Sequence, residues 1–258
     1  MSWYSFLKYT LVRPFVKVAY HARVEGEANI PASGGVILAC NHISVTETYL
    51  LPALIKRQVT YPVKAEAFRK GKGIKGIGQS IVAWALTAVG QVPIDRAGGR
   101  AALDGLGPIM KVLEDGGVVG IFPEGTRSPD GRLYKGKTGV ARLALATGAT
   151  VVPCGSTGAE VTGKFLGIPM SDHPVIHFGK PLDFSQYIGC EGDRSITRWV
   201  TDEIMAAIQQ LTGQTYVEGY GTSVKSGSLT ADEADARIRP RPGGGPAPQP
   251  CAKPEASA

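Results

Sequence analysis

The chain has 258 residues, a formal net charge of +6, 43% hydrophobic residues and 19% charged residues. That mix excludes a collagen-like, coiled-coil or wholly disordered chain, and the length suits one or two domains. The positive balance favours an anionic partner without distinguishing nucleic acid, lipid headgroup or phosphorylated metabolite. Four cysteines lie far apart with no CxxC pair, which suggests neither a zinc knuckle nor a dense disulfide scaffold and fits a reducing, cytosolic setting best.

The first segment mixes Trp3, Tyr4, Phe6, Tyr9 and Phe15 with Lys8, Arg13, Lys17 and Arg23 and holds no acid. Charges and Pro14 interrupt any uncharged run of the ~18 residues a membrane span requires, and no small-residue cleavage site follows. Aromatic rings among basic heads suit a helical segment lying in the headgroup layer, over 1–24; the alternative is a helix packed on the domain. A second basic stretch follows, from Lys56 and Arg57 to Lys75, with Glu66 as its one acid.

From there, short apolar runs alternate with longer patterned segments. Strands are predicted at 34–40, 59–65, Gln91–Asp95, 117–122 and Thr150–Gly155, with helices around 45–55, 78–89, 100–115, 138–147 and 195–212. Such alternation implies crossover units, hence a single α/β domain over 25–218 with a mostly parallel central sheet flanked by helices. After Tyr220 the composition turns to Gly, Pro, Ala and mixed charge, so 219–258 is predicted to be a disordered tail.

Two glycine motifs fit by letter and fail by context. Gly131 to Thr138 spells GxxxxGK[ST] but follows the polar run Arg127-Ser-Pro-Asp130 rather than a buried strand, as a phosphate loop requires. Gly71 to Gly76 spells GxGxxG after Ala-Phe-Arg-Lys, and its lysines suit a solvated loop better than a dinucleotide turn.

The informative run is Asn41-His42-Ile-Ser44-Val-Thr-Glu47, at the exit of a predicted strand, where ligands of open α/β sheets bind. A carboxylate on one imidazole nitrogen fixes the tautomer and leaves the other nitrogen to take a proton. On a continuous helix five residues lie about 140° apart, so His42 and Glu47 meet only if His42 sits in the turn before the helix. Ser44-x-x-Glu47 also spells a capping box that would start the helix at Ser44; the two roles are compatible. Gly90-Gln-Val-Pro-Ile-Asp95-Arg96 ends another strand in an acid and a base. Phe122-Pro-Glu124-Gly125-Thr126-Arg127-Ser128 offers amides, a hydroxyl and a guanidinium fork suited to a phosphate. Its plain reading is a polar turn.

In order, NHISVTE, GQVPIDR, FPEGTRS and VVPCG resemble the four blocks of the glycerolipid acyltransferases, best known as 1-acyl-sn-glycerol-3-phosphate acyltransferases. The resemblance covers about 20–200. Two departures stand out: Glu47 where the family has Asp, and Pro93 where a bulky apolar residue is common. The resemblance implies that His42, held by Glu47, is a general base on a glycerol hydroxyl attacking an acyl thioester. It places the acceptor phosphate on Arg96 and Arg127, with Glu124, Gly125 and Thr126 shaping the pocket. It implies no metal and no cofactor beyond acyl-CoA or acyl carrier protein as cosubstrate.

The expected partners are lysophosphatidic acid and a membrane surface, met peripherally on its cytoplasmic face, with no nucleic acid and the oligomeric state left open. Acylation of glycerol 3-phosphate or another lysophospholipid is the second enzyme reading. A non-catalytic lipid-binding protein that keeps the fold is the third. Cys40 and Cys154 are expected to be small core residues rather than nucleophiles.

Overall fold

The computed structural model describes residues 6, 8–64, 92–94, 107–165 and 168–251. The predicted helix over 78–89, the GxGxxG run and the lysines from Lys70 to Lys75 lie outside these. A six-stranded sheet organises the domain, in the order β1 (Arg23–Glu25), β11 (Val175–Phe178), β8 (Thr150–Thr157), β2 (Val36–Cys40), β6 (Val118–Ile121) and β3 (Val59–Thr60). Every neighbouring pair is parallel except β11 with β8. The mostly parallel α/β architecture expected from the alternating pattern is therefore present.

Strand β2 shows why the sheet is central. All five of its residues are buried, as a continuous apolar run covered on both faces should be. Alternate side chains face opposite layers. Ile37 and Ala39 join a core with Ile109 and Leu113 of α3 (Gly107–Glu114), Val140 and Leu143 of α4 (Gly139–Thr147) and the long helix α5 (Arg194–Thr212). Val36, Leu38 and Cys40 face the other core, built with Leu50, Leu51 and Leu54 of α2 (Glu47–Leu54) and with Val16 and Tyr20. In α5 the buried Ile196, Val200, Ile204 and Ile208 recur every fourth residue, the spacing of one helix face. Asp193 caps its start by accepting from the amides of Ser195 at 2.8 Å and Ile196 at 2.9 Å.

A short helix α1 (Arg13–Ala19) follows a π-helical turn at Lys8–Val12. It buries Val16 and leads into the buried Tyr20, while Phe6, Tyr9, Val12, Phe15 and Val18 remain exposed. No helix among the described residues is long and apolar enough to cross a membrane. Smaller elements complete the framework: β4 (Pro62–Lys64) pairs with β5 (Val92–Ile94), and β9 (Gly163–Phe165) pairs with β10 (Ile168–Met170).

The expectation of a disordered tail fails over 219–251. Strand β12 (Tyr216–Val217) pairs in parallel with β7 (Leu133–Tyr134) and antiparallel with β13 (Ile238–Arg239). Between them lie helices α6 (Gly221–Lys225) and α7 (Ala231–Asp235), the latter opened by a capping box of Thr230 and Glu233. Leu229 and Ala234 are buried with Tyr134 and Val217 in a small cluster of their own. Farther on, Cys251 is joined by a disulfide to Cys190, against the reducing setting expected from the scattered cysteines, and the Tyr187 hydroxyl donates to the Pro248 carbonyl at 2.9 Å. The polar composition concealed a segment that needs only a few apolar anchors because existing surface receives them.

Candidate active site

The exit of β2 is held by Asn41, fully buried, whose side-chain oxygen accepts from the Ser156 amide at 2.7 Å and whose nitrogen donates to the Ser156 carbonyl at 2.9 Å. Helix α2 begins at Glu47, so His42 stands in the preceding turn, the position in which the two side chains can meet. His42 Nδ1 lies 2.8 Å from Glu47 Oε2. Glu47 Oε1 accepts from the Ile43 amide at 2.9 Å and the Ser44 amide at 3.2 Å. Half of the predicted capping box is thus present. The helix does not start at Ser44, however, because the Ser44 hydroxyl accepts from the Thr46 amide at 3.0 Å and donates to the Ala159 carbonyl at 2.6 Å. A glutamate reaching back over the turn serves the imidazole and two amides together, at the helix end where negative charge is favoured.

Glu47 is completely buried, and burial pushes its carboxyl above the ordinary range, against the pull of the His42 imidazole and the two amides. An acceptor oxygen on Nδ1 assigns the hydrogen to that nitrogen and leaves Nε2 with the lone pair. Among the described residues Nε2 has no hydrogen-bond partner. The ring plane is set by Phe122, stacked at 3.9 Å between centroids and 16° between planes. Phe122 in turn stacks on Tyr61 at 5.6 Å. Tyr61 has room because Gly120 lies beneath it: a Cβ there would fall 2.4 Å from Tyr61 Cε1.

The loop after β6 is fastened to the same histidine. Glu124, buried, accepts from the His42 amide and the Tyr134 amide, each at 3.0 Å. Burial pushes its carboxyl up to about 8 despite these amides. The Ser128 amide donates to the His42 carbonyl at 2.6 Å. Gly125 turns the loop at φ +71°, a left-handed conformation glycine takes without cost. Thr126 presents its hydroxyl, which accepts from Lys225 Nζ at 3.1 Å, and Arg127 is exposed.

The structure thus brings His42, Glu47, Glu124, Gly125, Thr126 and Arg127 to one end of the sheet. Arg96 lies outside the described residues. Sequence reasoning overlooked Phe122 and Ser128 as supports of the histidine, though both stood inside the quoted run. It also overlooked Lys225, which had no local signal. The GxxxxGK[ST] run is interrupted by strand β7, so although Thr138 ends it at the start of α4, it is not one continuous phosphate loop. Cys40 and Cys154 are buried register partners on β2 and β8, and the contact with Cys154, together with burial, pushes the Cys40 thiol well up. Such a thiol is a packing group, not a nucleophile. Among the described residues, His21, Asp172 and His173 are the metal-ligand side chains that gather in a group of three or more; they are exposed, with the two imidazoles stacked on each other.

A mostly parallel sheet with a carboxylate-held histidine and a glycine-arginine loop at one end is the frame of a group-transfer protein. The family model described as Acyltransferase matches residues 21–157, and the chain belongs to that family. It is 33% identical over 175 residues to a chloroplastic 1-acyl-sn-glycerol-3-phosphate acyltransferase of Arabidopsis thaliana, covering 65% of this chain and 42% of that protein. A 1-acyl-sn-glycerol-3-phosphate acyltransferase of Borreliella burgdorferi is 26% identical over 217 residues, 80% of each chain. The fold resembles the crystal structure of the 1-acyl-sn-glycerophosphate acyltransferase PlsC from Thermotoga maritima, with a TM-score of 0.56, 20% identity and coverage of 82% and 81%. The chain spans 42% of the length of both the Arabidopsis relative and one from Brassica napus.

Proposed function

We propose that the protein transfers a fatty acyl group from a thioester, acyl-CoA or acyl carrier protein, to the sn-2 hydroxyl of lysophosphatidic acid, giving phosphatidic acid. The observation that carries this reading is the 2.8 Å contact of His42 Nδ1 with Glu47, which leaves Nε2 with the lone pair. His42 Nε2 takes the hydroxyl proton as the oxygen attacks the thioester carbonyl, and a C–O bond forms. The tetrahedral intermediate collapses, the C–S bond breaks, and the imidazolium returns its proton to the departing thiolate. Glu47 stabilises the transient positive charge, and general-base assistance of this kind is worth about 10² to 10⁴ in rate.

Arg127, joined by Arg96 on the resemblance, receives the acceptor phosphate as a bidentate anion. Acceptor and product both reside in a bilayer. The exposed Phe6, Tyr9, Val12, Phe15 and Val18 beside basic residues suit peripheral attachment to the cytoplasmic face of a membrane.

The test is thiol release from palmitoyl-CoA on anionic vesicles carrying lysophosphatidic acid. The expected outcomes are pelleting of the protein with the vesicles, turnover by the wild type, and a loss of about 10² to 10⁴ in His42→Ala. Full activity in His42→Ala sinks the mechanism. No thiol release with any lysophospholipid or glycerol 3-phosphate returns the chain to a lipid-binding role, and failure to pellet removes the membrane assignment.

A further inference from the structure

We propose that Lys225, on helix α6 of the C-terminal segment, grips the acceptor's phosphate together with Arg127, so that the binding site is completed by a part of the chain beyond residues 21–157. This rests on the acylation reading above and adds a residue to the same pocket. Lys225 Nζ donates to Thr126 Oγ1 at 3.1 Å, and an ammonium group has two further hydrogens to offer. Lys137 crosses the same loop: a Cβ on Gly125 would meet its Cδ and Cε at 3.0 Å and its Nζ at 3.1 Å.

Lys225, Lys137 and Arg127 thus gather at the Gly125–Thr126 turn, and among the described residues none of the three lies within ion-pair distance of a carboxylate. The nearest acid, Glu124, is buried and spends both oxygens on backbone amides. Unrelieved positive charge gathered at a loop rich in donors is a site for a dianion. Burial and the neighbouring Arg127 hold the Lys225 ammonium below its ordinary pKa, which an incoming phosphate reverses.

The helix is held rather than adrift. Its first residue, Gly221, would place a Cβ 3.4 Å from Thr126 Cγ2 and 3.5 Å from the Tyr134 ring, and Leu229 just beyond is buried. Geometry favours the acceptor over the donor as the source of the phosphate. In lysophosphatidic acid only a few bonds separate the reacting hydroxyl from phosphorus. In acyl-CoA the long pantetheine arm separates the thioester from any phosphate. The loop that carries Thr126 and Arg127 is bonded to His42 itself, so a cation over that loop meets the phosphate nearest the base.

Steady-state thiol release by wild type, Lys225→Met and Lys225→Arg, with lysophosphatidic acid and palmitoyl-CoA varied separately, tests the proposal. Lys225→Met is expected to raise KM for lysophosphatidic acid about tenfold while kcat and KM for palmitoyl-CoA stay within about twofold, and Lys225→Arg to recover most of the loss. Unchanged KM values, a rise confined to palmitoyl-CoA, or no recovery with arginine overturns it. Lys225→Gln replaces Lys225→Met should the latter not fold.

Calorimetric titration with glycerol 3-phosphate separates this proposal from the acylation reading, because it needs no turnover. Binding by wild type that weakens about tenfold in Lys225→Met supports the grip even if no acyl transfer is found. Equal binding by the two proteins, or none by the wild type, sinks it.

Discussion

Glu47 has a double task. Oε2 meets the imidazole, Oε1 accepts from the Ile43 amide, and the Ser44 amide is shared between the two oxygens at 3.2 Å each. Glu47→Gln separates the tasks. The amide oxygen still receives the Ile43 amide and one branch of the shared Ser44 bond, so the thermal midpoint is expected to fall only slightly. The amide nitrogen, however, donates to Nδ1 and drives the imidazole hydrogen onto Nε2, which leaves no base. Thiol release is expected to fall about 10² to 10⁴, the range over which a misplaced tautomer acts. A variant that melts like wild type and keeps its turnover shows that the carboxylate only braces the turn.

At the scale of elements, β6 governs the site through a residue with no side chain. A methyl group at position 120 would fall 2.4 Å from Tyr61 Cε1, and Tyr61, Phe122 and His42 are stacked in sequence. Gly120→Ala is expected to cost about 1 to 3 kcal/mol by overpacking and to lower kcat about tenfold as the imidazole is displaced. Denaturation and initial rates measured together check both. The strand–helix alternation and the pairing of His42 with Glu47 were legible in the sequence because each depends on residues near one another in the chain. The true start of α2 was not, since the Ser44 hydroxyl is claimed by Ala159, 115 residues away. The order in the tail was equally hidden. Val217, Leu229 and Ala234 are too sparse to show a period, and their partner Tyr134 lies far upstream. Lys225 is 99 residues from Thr126, a distance at which local patterning carries no information.

The molecule as a whole is closed by the bond between Cys190 and Cys251, 61 residues apart, which shuts α5, α6 and α7 into one covalent loop. Cys251→Ser is expected to lower unfolding free energy by about 2 to 4 kcal/mol, and reduced wild type should melt at the same temperature as the variant. Equal stability of oxidised wild type and variant argues that the few apolar anchors hold the segment unaided. A different consequence follows from the way His42 is tethered. Its amide, its carbonyl and its ring are each taken by the stretch from Phe122 to Ser128, so the proposed proton acceptor and the proposed anion cradle are fastened to each other. Evolution toward a bulkier headgroup has little freedom to slide one past the other. Changes in acceptor preference are better sought in the surrounding walls, where residues can be exchanged without detuning the chemistry.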